Sequence, residues 1–333
     1  MRTKRGLTLV ELLVVITIIA LLVSILVPVL SRTREVAARL ACGTNLSGIG
    51  KAMMVYAHDN EGRLPRAGGP QSTWGITKLW SAPDRRSAFG LATGDRSRGG
   101  GLSLAPCRCG GWMNKLPNGA SISSCFYLLV KYAEVTPKSF VCKSDMGTTE
   151  FKLSEVPQGT VPSTFELTDA WDFGPQPSRH CSYSYHIPFG RYGLKTTSDP
   201  SLAVAADRNP WIRSPSGPIS RWADFRPDVT YVGGMVGSRG QGKRGNTLAH
   251  QRDGQNVLFL DSHVEFAKRA YCAVEDDNIY TVSRDVTPGK GDVWGIMPAP
   301  SAGLQPTNGA DSLLVHDPDA FGGLVAECHT HEE

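Results

Sequence analysis

The chain has 333 residues, of which 41% are apolar and 20% charged, a balance typical of folded globular proteins and not of disordered ones. Three cationic residues, Arg2, Lys4 and Arg5, precede the first apolar segment, and removing them from the net charge of +4 leaves +1. So small a charge gives no support for a nucleic acid as partner.

The first segment of the chain, residues 7–30, is apolar and contains one charged residue, Glu11. A helix of this length rises about 1.5 Å per residue and spans roughly 36 Å, which is enough to cross a hydrocarbon core of about 30 Å. Basic residues that flank a first apolar helix stay on the cytoplasmic side. The sequence therefore predicts a transmembrane helix over 7–30, with the rest of the chain beyond the membrane.

The start of this segment, residues 5–11 (RGLTLVE), is unusual because a carboxylate inside a membrane helix costs about 2.5–3.5 kcal/mol and so indicates a function. The motif resembles the processing site of type IV prepilins and of type II secretion pseudopilins. The resemblance implies that residues 1–6 are a leader peptide, and that a prepilin peptidase cleaves after Gly6 and methylates Leu7. It also implies that Glu11, the fifth residue after cleavage, takes part in assembly with other pilin-like subunits.

Two alternatives to this interpretation are a secretory signal peptide and a plain membrane anchor. A signal peptide has a shorter apolar core and a small-residue cleavage site, whereas this segment ends in residues 27–31 (VPVLS). A plain anchor explains the length of the segment but leaves Glu11 without a role. The pattern favours the prepilin interpretation.

Residues 31–62 predict an extramembrane continuation of the same helix. Apolar residues three or four positions apart, from Leu46 to Tyr56, form a stripe that one helical face can bury. We expect a hinge at Cys42-Gly43, because glycine weakens a helix by about 1 kcal/mol. The helix is expected to end at residues 59–62 (DNEG), where a glycine follows the last periodic residues.

Residues 63–119 are rich in glycine and arginine and show no periodicity, which predicts a mobile insertion. Cys107 and Cys109 form an isolated C-x-C pair there. Metal sites usually need a second pair of ligands, so we expect these cysteines to form disulfides.

The chain has eight cysteines, and export to an oxidising compartment would favour their pairing. The connectivity cannot be deduced from the sequence. The candidates for disulfides are Cys42, Cys107, Cys109, Cys125, Cys142, Cys181 and Cys272.

Residues 120–297 predict an α+β domain. A short buried helix is expected over 121–135, and strands over 181–186 and 202–207, where apolar residues alternate with others. Residues 140–145 (FVCKSD) resemble a short F-x-C-P-S-D element of large prepilin-like proteins, with Lys143 in place of proline. The last segment, 298–333, is expected to be a flexible tail, and its residues 328–331 (CHTH) are a frayed terminus or a soft-metal site.

A hairpin is predicted between residues 257–260 and 263–266, with Asp261-Ser262 as a two-residue turn. In that register Phe259 lies opposite Val264, and the apolar residues Val257, Phe259, Val264 and Phe266 share one face of the sheet.

Residues 250–264, which include this turn, are similar to the H-x9-DG region of the same prepilin-like proteins. Ten residues, not nine, separate His250 from Asp261, and Ser262 stands where that family has glycine. His250 and Asp261 are candidates for metal ligands or an acid–base pair. The alternative is structural, with His250 capping a loop and Asp261 forming the turn.

The sequence as a whole predicts an α+β protein, in which a long amino-terminal helix precedes an antiparallel sheet domain with large irregular insertions. The resemblance implies a structural pilin-like or pseudopilin subunit, anchored by a single pass in the inner membrane with its carboxyl-terminal domain periplasmic or extracellular. The alternative is a membrane-anchored binding domain that does not polymerise. The sequence contains no nucleophile elbow, phosphate loop or H-E-x-x-H helix, so neither an enzyme nor a cofactor is predicted.

Overall fold

The computed structural model describes residues 9–91, 119–215, 217, 219–301 and 303–319. The predicted cleavage site at Gly6 and Leu7, the cysteines Cys107 and Cys109, and the terminal residues 328–331 lie outside these ranges. Within them the predicted architecture is confirmed, because one long helix is followed by an antiparallel sheet domain of the α+β class.

The long helix α1 runs without a break over Leu9–Asp59. It ends within the predicted stop, and Gly62 follows with a φ of +71°. The predicted hinge at Cys42-Gly43 is wrong. A Cβ at Gly43 would lie 3.1 Å from the Asn256 side-chain oxygen, so this glycine allows the helix to approach the sheet closely and does not interrupt it.

The two halves of α1 lie in different surroundings. Every large apolar side chain described between Leu9 and Leu30 is at least 48% exposed. The predicted stripe in the second half is confirmed, since Leu46, Ile49 and Met53 are at most 1% exposed. The first half of α1 therefore presents an uncovered apolar surface, and the second half is part of the domain core.

The domain has further short helices and two sheets. The helices are α2 (Arg85–Phe89), α3 (Ile122–Tyr132) and α4 (Arg239–Gly242). The strands are β1 (Thr73–Trp74), β2 (Gly119–Ala120), β3 (Tyr183–His186), β4 (Ala203–Asp207), β5 (Gln255–Phe259), β6 (Val264–Ala267) and β7 (Leu314–Val315). Short 3-10 helices cover Pro137–Phe140, Leu153–Glu155, Leu167–Asp169, Pro177–Arg179, Trp222–Asp224, Lys243–Gly245, Ala249–Arg252 and Val274–Asp276.

The main sheet has the strand order β6-β5-β4-β3-β7, and its neighbouring strands are antiparallel. β1 and β2 form a separate parallel pair. One face of the main sheet packs against α1 and α3, with Leu258 of β5 against α1 at Gly50. The other face is covered by an aromatic cluster that includes Trp211, Phe225 and Tyr280. Because both faces are covered, all five residues of β5 are buried.

Two segments that were expected to be mobile belong partly to the core. In the predicted insertion 63–119, Leu64, Trp74 and Phe89 are at most 3% exposed. In the predicted tail 298–333, β7 pairs with β3, and both of its residues are fully buried. Both expectations are wrong for the residues described, because low periodicity in these segments reflects irregular packing and not exposure.

The predicted register of the β5–β6 hairpin is wrong by one residue. Leu258 lies opposite Val264, and Val257 lies opposite Glu265. A shift of one residue moves each side chain to the other face of the sheet, so the predicted apolar face is wrong as well. Val257 and Phe259 face the aromatic cluster, whereas Val264 packs with Leu258 on the side of α1.

The cause of the shift is the hairpin loop, which has three residues (260–262) and not two. The Phe259 N–H donates to the His263 carbonyl at 3.0 Å and closes this loop. Ser262 has a φ of +73°, the left-handed conformation that commonly ends a three-residue hairpin loop and favours glycine.

Candidate functional site

Ionisable and sulfur-containing side chains meet where α1 crosses the sheet, and we call this group the junction cluster. It consists of Glu35, Arg39, Cys42, Cys142, Asp207, His250 and Asp253. The residues come from α1, the segment after α3, the end of β4 and the loop before β5. The cluster is therefore the place where distant parts of the chain are fixed to the long helix.

His250 lies at the centre of the junction cluster because of an unusual backbone. It has a φ of +54°, and Gln251 and Arg252 follow with +57° and +59°. Each such residue costs of the order of 1–3 kcal/mol and persists only where its surroundings enforce it. The side chain of His250 is fully buried, so the left-handed turn brings an ionisable ring into the protein interior.

Both ring nitrogens of His250 face carboxylates. Nδ1 lies 2.8 Å from Glu35 Oε1, and Nε2 lies 3.4 Å from Asp207 Oδ2. Burial by itself lowers the pKa of His250, but the hydrogen bonds and negative charges of Asp207 and Glu35 outweigh it and raise the pKa above 6.5. His250 therefore connects α1 to β4 through both of its ring nitrogens.

Arg39 extends this network along α1. Its Nε lies 3.2 Å from Glu35, one helical turn away, and its Nη2 lies 2.8 Å from Asp253 Oδ2. Lys243 contacts the other oxygen of Asp253 at 2.8 Å. The hydrogen bond from Lys243 and, to a smaller extent, the one from Arg39 lower the pKa of Asp253. Alternating charges thus connect the helix to the loop that carries His250.

A disulfide between Cys42 and Cys142 joins α1 covalently to the segment after α3. The prediction that these cysteines form disulfides is therefore confirmed for two of the seven candidates, Cys42 and Cys142. Cys125, Cys181 and Cys272 form no disulfide with any of the described cysteines, and pairing with Cys107 or Cys109, which lie outside the described residues, stays a prediction. Burial raises the pKa of all three, to about 12 for Cys181, because each lies in apolar surroundings that disfavour the thiolate.

The structure does not bring His250 and Asp261 together, so the hypothesis that they form a pair is wrong. Asp261 lies in the hairpin loop, and five residues of β5, roughly 16 Å at 3.3 Å per residue, separate that loop from the His250 segment. The Asp261 side chain is 47% exposed and lies 2.5 Å from His263 Nδ1. The structural interpretation of Asp261 as a turn residue agrees with these contacts.

The sequence analysis did not identify Glu35, Arg39 or Asp207 as members of the site. A signal was present on α1, because Glu35, Arg39 and Cys42 are four and three residues apart and so share one helical face. No comparable signal marks Asp207, whose contact with His250 depends on the order of strands in the sheet.

The uncovered half of α1 is the second functional region. The helix is long and apolar enough to cross a membrane. Glu11 lies in its first turn and is exposed. The fold and this helix together define a class of protein, an α+β domain carried on a helix whose length and composition fit a single-pass membrane anchor.

The comparison with protein families identifies the motif on that helix. Residues 1–27 match the family described as the prokaryotic N-terminal methylation motif. The match supports a prepilin-like protein that a prepilin peptidase processes, and the motif and helix fit a single-pass anchor in the inner membrane. Neither the curated proteins nor the solved structures gave a match. The family match ends at residue 27, so the H-x9-DG character of residues 250–264 stays a prediction.

Proposed function

We propose that the chain is a structural subunit of a type IV pilus or of a type II secretion pseudopilus, with no catalytic role. After cleavage the subunit stays in the inner membrane until assembly, with its carboxyl-terminal domain on the periplasmic side. The observation that carries this proposal is a methylation motif on a helix that is uncovered in one half and fixed to a domain in the other.

The uncovered half of α1 needs an apolar environment at each stage. Lipid provides it before assembly, and the same surface packs against the helices of other subunits in a filament. Close packing can replace lipid because helix association in membranes depends on van der Waals contact and polar pairing. The exposed apolar residues on every side of the helix between Leu9 and Leu30 suit contact with several neighbours.

Glu11 is the residue that we assign to subunit pairing. Processing would create a new cation, the amino terminus of Leu7, and the corresponding terminus of an adjacent subunit is available to Glu11 in a packed bundle. In a medium of low dielectric constant, removing one partner of such a pair costs about 3–5 kcal/mol. Pairing between neighbours would therefore fix the axial register of one subunit against the next.

The junction cluster supports this role because it makes α1 and the domain one mechanical unit. A disulfide and a buried His250 that contacts two carboxylates hold the helix against the sheet. A register set by the helix would then also set the position of the domain on the filament surface.

A binding domain that stays in the membrane is the second candidate, and one observation favours it. A cavity of about 260 Å³ lies between the end of α1 and the segment after β3. Arg63, Arg66, Arg191 and Lys195 line this cavity and give it a positive charge.

Cross-linking in the native membrane tests the first candidate against the second. A photoreactive amino acid at Leu13 is expected to give a ladder of oligomers in the otherwise unchanged chain. Glu11→Leu is expected to preserve cleavage and insertion but to abolish the ladder. Thr17→Leu is the matched control, because it replaces a polar residue of the same segment whose hydroxyl donates a hydrogen bond within its own helix, to the Val14 carbonyl. Equal ladders from all three chains would refute the role of Glu11, and no ladder from any of them would favour the binding domain.

A further inference from the structure

Four side chains of the junction cluster have the composition of a metal site. They are Cys42, Cys142, Asp207 and His250, and each offers one ligand atom within 4.8 Å of all the others. Two sulfurs, an imidazole and a carboxylate are ligand types that zinc accepts in tetrahedral sites. All four residues are at most 1% exposed, so the site is enclosed as structural zinc sites are.

The distances already suit a tetrahedral ion. Zinc binds nitrogen and oxygen at about 2.0–2.1 Å and sulfur at about 2.3 Å, which places such ligands about 3.3–3.8 Å from one another. His250 Nε2 lies 3.4 Å from Asp207 Oδ2 and 3.5 Å from Cys142 Sγ. The two sulfurs depart from this geometry, because they are covalently bonded.

The surrounding groups are also those that a metal site needs. Zinc-binding histidines usually donate their other ring N–H to a carboxylate, which orients the ring, and His250 Nδ1 lies 2.8 Å from Glu35. Asp207 Oδ2 accepts hydrogen bonds from Asn256, whereas Oδ1 is buried and has no hydrogen-bond partner among the described residues. Oδ2 is the oxygen that lies 3.4 Å from His250 Nε2, so Asn256 holds the oxygen that faces the site in place, as hydrogen bonds do for ligating carboxylates.

We propose that, when Cys42 and Cys142 are reduced, these four side chains bind a divalent ion of the zinc class, and that forming the disulfide releases it. The proposal is independent of filament assembly. The junction between α1 and the sheet would then be held by a metal before oxidation and by a covalent bond afterwards.

The chemistry of the exchange balances. In the reducing direction a dithiol transfers two electrons and two protons, the sulfur–sulfur bond of the protein breaks, and the dithiol becomes a disulfide. Zinc then displaces one proton from each cysteine thiol and, where His250 is protonated, the proton on Nε2, so that His250 binds through Nε2 as the neutral imidazole; these protons pass to the solvent. In the oxidising direction a disulfide oxidant accepts the two electrons, the bond between Cys42 and Cys142 forms again, and the ion leaves.

Cobalt(II) is a suitable probe because its thiolate complexes absorb strongly in the near ultraviolet. The full chain in detergent, reduced with a phosphine that does not bind the metal, is expected to take up one equivalent with a thiolate charge-transfer band that zinc abolishes. The double variant Cys42→Ser/Cys142→Ser, which keeps no thiolate in the site, should lose the band, and Asp207→Asn should bind more than tenfold more weakly. Cys272→Ser is the matched control, since this free thiol lies outside the site, and it should bind as the unchanged chain does. The absence of the band in the unchanged chain, or its persistence in the double variant, would overturn the proposal.

Alkylation of the unchanged chain gives an answer even where a variant does not fold. With zinc present, the reduced protein is expected to lose alkylation at Cys42 and Cys142, located by mass spectrometry, relative to a metal-free sample. If reduction opens the domain, zinc is expected to raise its melting temperature, because ions that bind only the folded state stabilise it. Full alkylation of both cysteines together with an unchanged melting temperature would contradict the proposal.

Discussion

The contact between His250 and Glu35 makes the stability of the domain depend on pH, and Glu35→Gln is the substitution that tests it. His250 acquires its carboxylate partners on folding, and its pKa is raised above 6.5. A group with a raised pKa in the folded state contributes its full stabilisation below the unfolded value. That stabilisation is lost as the pH rises through the folded value. The chain is therefore expected to lose stability from about pH 6.5 upwards.

The cost of Glu35→Gln can be worked out from the hydrogen bond between His250 and Glu35. Glutamine keeps an oxygen acceptor at 2.8 Å from Nδ1 but carries no charge. Hydrogen bonds to charged groups contribute about 1.5–3 kcal/mol and neutral ones about 0.5–1.5, so Glu35→Gln should cost about 1 kcal/mol while His250 is protonated. The longer contact with Arg39, at 3.2 Å, adds up to about 1 kcal/mol that does not depend on the charge of His250.

Urea denaturation measures both the pH dependence of stability and the cost of Glu35→Gln. The full chain is unfolded in detergent at several pH values, and tryptophan fluorescence follows the unfolding. The difference in unfolding free energy between the unchanged chain and Glu35→Gln should be larger below about pH 6.5 than above the folded pKa. Glu275→Gln is the matched control, since Glu275 pairs with Lys290 at an exposed site, and it should cost little at any pH. A cost for Glu35→Gln that is the same at all pH values would refute the assignment of charge to His250.

Three further outcomes are expected. Ser262→Gly should stabilise the domain by about 0.5–1 kcal/mol in the same urea assay. The left-handed conformation costs a residue other than glycine about 1–2 kcal/mol, and the greater conformational entropy of glycine in the unfolded chain offsets part of the relief. Ser201→Gly, in a turn without a positive φ, should not stabilise it. Phe259→Ala should cost about 3–5 kcal/mol, since this ring is 4% exposed in the aromatic cluster; a near-neutral result would contradict its packing. Mass spectrometry of the membrane-extracted protein should find cleavage after Gly6 and an N-methylated Leu7, and an intact leader would exclude processing.

Local patterns predicted the elements whose cause is local. The apolar stripe from Leu46 to Tyr56 correctly marks the buried face of α1. The helix expected over 121–135 is present as α3, where the Ser121 side chain accepts a hydrogen bond from the Ser124 N–H. The strands expected over 181–186 and 202–207 are β3 and β4. In each case neighbouring residues determine the structure.

Features that depend on distant contacts or on special backbone angles were not visible in the sequence. The length of the hairpin loop depends on a positive φ at Ser262, and a serine in the sequence does not predict a positive φ. β7 has only two residues and shows no period, although it is fully buried. Arg39 meets Asp253 across 214 positions of the chain, and only the folded sheet brings the two together. The sequence therefore located three members of the candidate site, Cys42, Cys142 and His250, while their charged partners were found from the structure.

The position of the disulfide determines what a single cleavage of the peptide backbone does to the protein. Cys42 and Cys142 are 100 positions apart, so the bond closes a covalent ring that contains all the residues between them. A single break of the peptide backbone anywhere in that ring would leave the two fragments covalently joined. The apolar helix would still carry the sheet domain, and the two pieces would separate in a gel only after a thiol is added. Nearly a third of the sequence can therefore be nicked once without releasing the domain from the membrane.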